Sequence, residues 1–550
     1  MKRLLMLSIV MMTMVNTFAQ WQPDDKQKTR LDDPNAIGQV DTHALRTPEG
    51  RTVLTWLRWT DSSSADFSNA GYHLHLQILD VDGSPLFGTE GVLVDTNATP
   101  SYTTGYGLAL ASNGDILMAY PDAREDIEEC ASTAVYVYRY DQQGNSVWSP
   151  DGVKMEATIY KNKGDEMAPI ICTNGDNIYV GLHHSEIIRE KADENNWQPN
   201  PWFPNEPMPD SIEVNYDNFQ LQRFRDDGTA AWSENLVVNA QMAVFQPCGD
   251  SDIFLIYNSA NMGLEAQRIN SEGENVWQQP VTIEEESISG GLYMPTPETV
   301  VDDEGGVVLT YRKIAGMTGY QVMTRLSANG QVLNCAVSCN GSTEGDALSG
   351  MVATRGDKVL VAWEYDKEVK QMYLNLLGLD GRNVWNGTKK NGLAISKNRT
   401  WGFTPVKIIP QTDGWVLLYG NCTSWDGANF MVFKIDDNGN KVWSKQIAEN
   451  GMKSSGFSVV NDEHYAYIFF TQEEDYDDNW NPIPDTGGLF VMCVDIAPNN
   501  GEDGIRDISN DHGREIHYDL NGRELTSPTP KGLYIVRHPD GTATKKITNP

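Results

Sequence analysis

The stretch Phe433-Lys-Ile-Asp-Asp-Asn-Gly-Asn-Lys-Val-Trp443 decides the fold. Apolar and polar residues alternate into it, the pattern of a half-buried strand. An Asp/Asn-Gly pair follows, the chemistry of a tight hairpin where φ turns positive. An indole stands four residues past the glycine. The phrase recurs around Gly83, Gly144, Gly228, Gly273, Gly330, Gly381 and Gly439. Four residues beyond each come Phe87, Trp148, Trp232, Trp277, Asn334, Trp385 and Trp443, six of them aromatic.

A second phrase lies upstream of each copy: a polar turn, then a short apolar run. The runs are Thr52–Trp56, Ile116–Tyr120, Ile178–Leu182, Ile253–Tyr257, Val307–Tyr311, Val359–Trp363, Trp415–Tyr419 and Ala466–Phe470. Both parities of these runs are mostly apolar, so both strand faces are buried. Together the phrases make a unit of apolar strand, polar turn, apolar strand, loop, alternating strand, Gly turn and short strand. Such a unit, repeated every 50 to 75 residues or so, points to a propeller. Strands buried on both faces suit a blade wedged between two neighbours, whereas a two-sheet sandwich would show one wet face.

The expected fold is therefore all-β: a β-propeller of eight blades, with seven as the alternative count, and a small C-terminal β tail. The inner hairpins fall near 39–57, 105–120, 168–182, 242–257, 296–311, 349–363, 404–419 and 456–470. The eighth unit has a third strand at Gly488–Cys493 but no Gly turn after it. Either the lead-in segment supplies its fourth strand and closes the ring, or the unit is three-stranded; an open seam would expose strand edges. The expected boundaries are a signal peptide at 1–20, a lead-in at 21–37, the propeller at 38–496, a linker at 497–510 and the tail at 511–550.

The net charge is −34. Nucleic acid is excluded as a partner, because phosphate contacts need a basic patch. Lys2 and Arg3, the apolar run Leu4–Val15 and Thr17-Phe-Ala-Gln20 read as a secretory signal. No later run is long enough to span a bilayer. The expected location is secreted or cell-surface, with the periplasm as alternative. Seven cysteines are scattered through the chain, so at least one thiol stays unpaired within it. If the Cys335–Cys339 segment is extended, that pair is too far apart to bridge.

The tail residues Tyr518-Asp-Leu-Asn-Gly-Arg523, Gly532-Leu-Tyr534 and Lys545-Lys-Ile547 resemble the C-terminal sorting domain of type IX secretion substrates. That resemblance implies a second partner, the secretion machinery, acting through 511–550; the family's Pro-Asn-Pro entry motif is absent. The repeats resemble those of eight-bladed quinoprotein-type propellers, in which a tryptophan docks between adjacent blades. The resemblance assigns that role to Trp148, Trp232, Trp277, Trp385 and Trp443. It does not carry the quinone chemistry, since the adjacent-cysteine pair is missing. The sialidase repeat Ser-x-Asp-x-Gly-x-Thr-Trp is similar, but its Trp stands three residues past the glycine.

Short hairpin turns occupy one side of the ring and longer loops the other, and long loops tend to carry function. The longest insertion is His183 to Asn218, with Trp197 and Trp202 among prolines. Others are Thr60–Gly71, Pro121–Thr133 with Asp122 and Arg124, Gly420–Asn429 with Trp425, and an acidic stretch reaching Trp480. An indole beside Asp or Asn can hold a sugar ring, stacking on its apolar face and bonding its edge. The candidate ligand residues are Trp197, Trp202, Trp425, Trp480, Asp122 and Arg124; the competing assignment is that these indoles pin loops onto the ring.

No catalytic constellation stands out: no Gly-x-Ser-x-Gly elbow, no phosphate loop, and carboxylates too abundant for any pair to be informative. His73-x-His75 and His183-His184 lack a third ligand, so no metal is assigned. No cofactor is called for. Ca²⁺ on Glu473, Glu474, Asp475, Asp477 and Asp478 lacks EF-hand spacing. The expected function is binding of a glycan or an extracellular or surface protein through the loop-rich face, without catalysis. The alternatives are a propeller-fold carbohydrate-active hydrolase or lyase, and an envelope scaffold.

Overall fold

In the computed structural model the chain divides into two units, Met1–Ile496 and Ala497–Pro550. The structure describes residues 28–36, 38–60, 71–124, 132–159, 164–193, 197, 207–241, 243–258, 263–285, 297–315, 318–339, 346–366, 369–389, 391–398, 402–422, 427–447, 452–453, 457–472, 475, 477, 483, 486–497, 516–518, 532–537 and 543–548.

The first unit is an eight-bladed β-propeller. Blades 1 to 7 are antiparallel sheets of four strands taken in chain order, with one extra short strand, Met452–Lys453, on blade 7. Their innermost strands are Gln39–Arg46, Gly107–Leu110, Asp165–Asn174, Ala243–Cys248, Glu298–Val301, Asp346–Arg355 and Gly402–Gln411; blade 8 begins with Phe457–Asn461. Each innermost strand touches the innermost strand of the next blade, and blade 8 touches blade 1, so the ring closes.

Blade 8 takes its outer strand from the other end of the unit. Thr29–Arg30 pairs with Gly488–Asp495, opposite Val491 and Phe490. The Leu31 amide donates to the Leu489 carbonyl at 2.9 Å, and Leu31 is buried between blades 8 and 1. Of the two readings of the eighth unit, the four-stranded one holds.

The apolar runs explain the stacking. In Ile116–Tyr120, residues 116, 118 and 120 pack toward blade 1, and 117 and 119 toward blade 3. In Trp415–Tyr419, residues 415, 417 and 419 face blade 6, and 416 and 418 face blade 8. A period-two pattern with both faces apolar thus fills two neighbouring interfaces at once. Eight hydrophobic clusters result, one per blade interface.

The Gly turns and the residues four beyond them join across those interfaces. The indole Nε1 of Trp148 donates to the Asp226 carbonyl at 2.8 Å, that of Trp232 to Ser271 at 2.8 Å, that of Trp277 to Ala328 at 3.3 Å and that of Trp385 to Asp437 at 2.9 Å. Each acceptor lies two residues before the turn glycine of the next blade. Gly228, with φ 83°, sits so close that a Cβ would stand 3.0 Å from the Trp148 ring. Trp443 packs toward blade 8, where the chain offers no Gly turn.

One expectation needs correction. The insertion His183–Asn218 is not a loop throughout: its two ends, 183–191 and 211–218, are strand. Asn177–Lys191 and Ser211–Phe224 stay in register from Ile178↔Phe224 out to Lys191↔Ser211, forming a β-ribbon longer than any other hairpin described. Cross-strand pairs such as Arg189–Glu213 and Ile188 opposite Val214 sustain it.

The second unit, taken by itself, holds one antiparallel sheet of Ile516–Tyr518, Gly532–Arg537 and Ala543–Thr548.

Candidate functional site

The hairpin turn within each innermost pair and the Gly turns lie on one side of the ring. The loops leaving the second and fourth strands lie on the other. On that loop-rich side, the seam between blades 1 and 2 carries a connected set of polar and aromatic side chains.

Asp122 ends the second strand of blade 2, and Asp95 follows the outer strand of blade 1. Both carboxylates are buried. Arg124, two residues beyond Asp122, lies between them. Its Nε donates to Asp122 Oδ1 at 2.9 Å and its Nη2 to Asp122 Oδ2 at 2.7 Å. Nη2 also reaches Asp95 and the Tyr138 hydroxyl, and Nη1 donates to the Asp151 carbonyl at 2.7 Å. The guanidinium stacks over Tyr136, 3.6 Å from its ring centre. The Tyr138 hydroxyl donates to Asp95. Burial, reinforced by the nearby Asp95 charge, pushes the Asp122 carboxyl up to about 7 despite the arginine. The arrangement is a clasp joining two blades. Arg124 spends its donors on its own protein, so it has little left for a ligand.

Closer to the axis, Asp41 adopts φ 50°, a left-handed conformation that Asp tolerates. Its carbonyl accepts from the Tyr106 hydroxyl at 2.8 Å, and its carboxylate lies 3.3 Å from His43 Nε2. His43 stacks on Tyr106 with ring centres 4.2 Å apart. Above them Trp59 and Tyr72 face each other across paired strands, edge to face at 5.0 Å. Tyr72 in turn meets Tyr102 at 5.6 Å, again edge to face. Tyr102 is 43% exposed. The Tyr120 hydroxyl supports this row from below, donating to the Tyr72 carbonyl and accepting the Thr99 amide at 2.9 Å.

Of the residues singled out from sequence, Asp122 and Arg124 meet in the clasp. Trp197 is half-buried in the region of the ribbon tip, its amide donating to the Asp193 carbonyl at 3.1 Å. Trp202, Trp425 and Trp480 lie outside the described residues, as do Glu473, Glu474 and Asp478. His73 and His75 each place Nδ1 against a backbone carbonyl, Asp95 at 3.3 Å and Glu90 at 3.1 Å. Burial holds the His75 imidazole down to about 4, so it is neutral. His183 is likewise held near 4 by burial. Among the described residues no three His, Cys, Asp or Glu side chains are placed to hold a metal. The Asp-Asp-Asn-Gly turn closes on itself: Asp436 Oδ1 accepts the amides of Asn438 and Asn440.

On the Gly-turn side, a pocket of 430 Å³ beside Trp232 is lined by Arg223, Glu234, Asn235 and Glu272 among others. The Trp232 ring there already lies against Gly273.

Sequence reading missed Asp95, Tyr138, Trp59, Tyr72 and Tyr102, because they converge from different strands and loops. It also missed a second repeat. Arg139, Arg223, Arg268, Arg325 and Lys434 stand five residues before their turn glycines. They bond Asp115, Asn177, Asp252, Asp302 and Asp413 in the inner hairpin of the same blade, at 2.7 to 2.8 Å. The spacing was visible in the sequence.

No family model matches the chain, and no curated relative does. Solved structures do. The chain is similar to the β-propeller domain of the Trilobed protease from Pyrococcus furiosus at 10% identity, covering 75% of this chain and 98% of that one, with a TM-score of 0.37. It is similar to an ulvan lyase of a polysaccharide lyase family at 10% identity over 70% of this chain and 91% of that one, TM-score 0.36. It is similar to a Hadza microbial sialidase at 12% identity over 78% and 75%, TM-score 0.33. Those activities belong to those proteins; the fold here rests on this chain's own strand pairing.

Proposed function

We propose that this chain is an exported β-propeller that binds a glycan, or an extracellular or surface protein, through its loop-rich face without catalysis. The signal-like residues 1–20 and the sorting-type tail 511–550 support export to the cell surface or the medium, with the periplasm as the alternative. The observation that carries the binding reading is the asymmetry of the ring. One face is tight turns engaged in blade locks; the other bears the blade 3 ribbon and a partly exposed aromatic row. Incubating the full chain with a glycan panel and with surface extracts tests it, and retention of no glycan and no protein contradicts it.

A carbohydrate-active hydrolase or lyase is the second reading. A carboxyl raised to about 7 beside another carboxyl, as Asp122 is beside Asp95, is what a general acid needs. Both carboxyls are buried and bonded to Arg124, out of reach of a glycosidic oxygen. The binding reading is therefore preferred, and release of reducing sugar from any bound glycan would reverse that preference. A scaffold role in the envelope has no specific observation in its favour.

A further inference from the structure

We infer that Trp59, Tyr72 and Tyr102, with Asp41 and His43 toward the axis, form a subsite for a single neutral glycan chain on the loop-rich face. The inference rests on the binding reading above and gives it a place and a ligand class.

The row is built rather than incidental. Trp59 and Tyr72 are cross-strand partners near the ends of the second and third strands of blade 1. Gly38, with φ 72°, donates no Cβ where one would stand 2.6 Å from the Trp59 Cβ, and its carbonyl accepts the Trp59 amide at 2.9 Å. Tyr102 opens a short 3₁₀ turn capped by Ser101. Three fixed points therefore hold three rings in successive contact, 5.0 and 5.6 Å apart.

Aromatic rings offer a sugar an apolar face of matching size, while the sugar's hydroxyls need acceptors and donors at the edge. Asp41 and His43, both partly exposed and 3.3 Å apart on the innermost strand of blade 1, supply a carboxylate acceptor and a ring nitrogen. The interplanar angles of 65° and 77° turn each ring against the next. A flat crystalline polysaccharide surface needs coplanar rings; a row turned in this way suits one twisting chain. The ligand's charge follows from the protein's. With a net charge of −34, sulfated, uronic or sialylated chains meet repulsion, and neutral pyranosides do not.

The test uses the full chain, isothermal titration and a panel of neutral and anionic oligosaccharides. Wild type is expected to bind a neutral member with affinity unchanged by added salt. Tyr102→Ala weakens that binding about tenfold, the loss of one stacking ring, while Tyr102→Phe keeps it because the ring and not the hydroxyl makes the contact. Tyr102 is exposed, so its variants are expected to melt with wild type; Trp59→Phe provides a second, conservative probe. Binding of a neutral glycan that is untouched by all three variants overturns this subsite and leaves the binding reading standing. Preference for anionic glycans overturns the ligand class. Binding to no glycan or protein overturns the broader reading with it.

Discussion

Asn334 stands where four other blades carry a docking tryptophan, and its side-chain amide donates to the Leu379 carbonyl. That carbonyl lies two residues before Gly381. It is the same position that accepts the indole N–H of Trp148, Trp232, Trp277 and Trp385. At five blade junctions the lock is thus a hydrogen bond to a turn carbonyl, with a ring laid on the turn glycine at four of them; between blades 1 and 2 the Phe87 ring alone lies against Gly144. Asn334→Leu removes the donor while keeping the side chain's size. It is expected to lower stability by about 1 kcal/mol, read as a denaturant midpoint shift with unchanged slope.

The ring component of the lock is tested from both sides. Trp385 is buried and Trp148 is only half-buried. Trp385→Ala should therefore cost about 3 to 5 kcal/mol and Trp148→Ala clearly less. Gly228→Ala forces a Cβ against the Trp148 ring at a φ of 83°. It should destabilise by roughly 1 to 3 kcal/mol. An equal and negligible effect of all three on the denaturant midpoint would remove the lock from the account.

Closure of the ring depends on a very short strand. Deleting residues 28–31 leaves Gly488–Asp495 as an edge, with Leu31 missing from the blade 8–1 core. Amides in 488–495 should then exchange with deuterium much faster than in wild type, with blades 3 to 5 little changed. Uniform exchange across the ring would mean the N-terminal strand is not what closes it.

The Arg124 clasp makes a sharper prediction. Arg124→Met leaves Asp95 and Asp122 buried without their cation, and breaking a buried pair from one side costs about 3 to 5 kcal/mol. Adding Asp122→Asn to Arg124→Met should recover part of that loss. Thermal denaturation of the single and double variants reads both effects.

The dependence on pH has two limbs. Asp122 and Asp32 are raised by burial, to about 7 and about 6. The folded state binds their protons more tightly than the unfolded state does. Their contribution therefore falls as pH rises from about 4 to about 7, and is fully lost above that. His75 and His183 are held near 4 by burial. Their contribution is present above about 6.5 and is lost as pH falls toward 4. Wild type should show a shallow balance over this window. Asp122→Asn removes part of the alkaline loss, so its melting temperature relative to wild type should rise between pH 5 and pH 8, roughly the window set by the raised carboxyl.

The propeller was readable because its determinants are local and repeated: a turn that needs glycine, an aromatic at fixed spacing, strands apolar on both faces. The site was far less readable. Asp122 and Arg124 were close in sequence and drew notice as loop residues, but their partners Asp95 and Tyr138 come from other strands, and only the fold brings them together. The blade 3 ribbon was misread because its proline-rich tip and its polar face, Arg189 and Glu213 among them, hid the alternation of Ile188, Ile212 and Val214. The closing strand is only two residues long, too short to leave a periodic signal. Asn334 looked like a lapse in the repeat until its acceptor could be seen.

The central functional claim is that the loop-rich face at the blade 1–2 seam receives the ligand. Deuterium exchange of the full chain, with and without a neutral oligosaccharide that it retains, tests this most directly. Protection is expected in residues 38–46, 57–60, 71–75 and 98–106. Protection confined instead to the turns around Gly144, Gly228, Gly273 and Gly439, on the opposite side of the ring, would contradict the account.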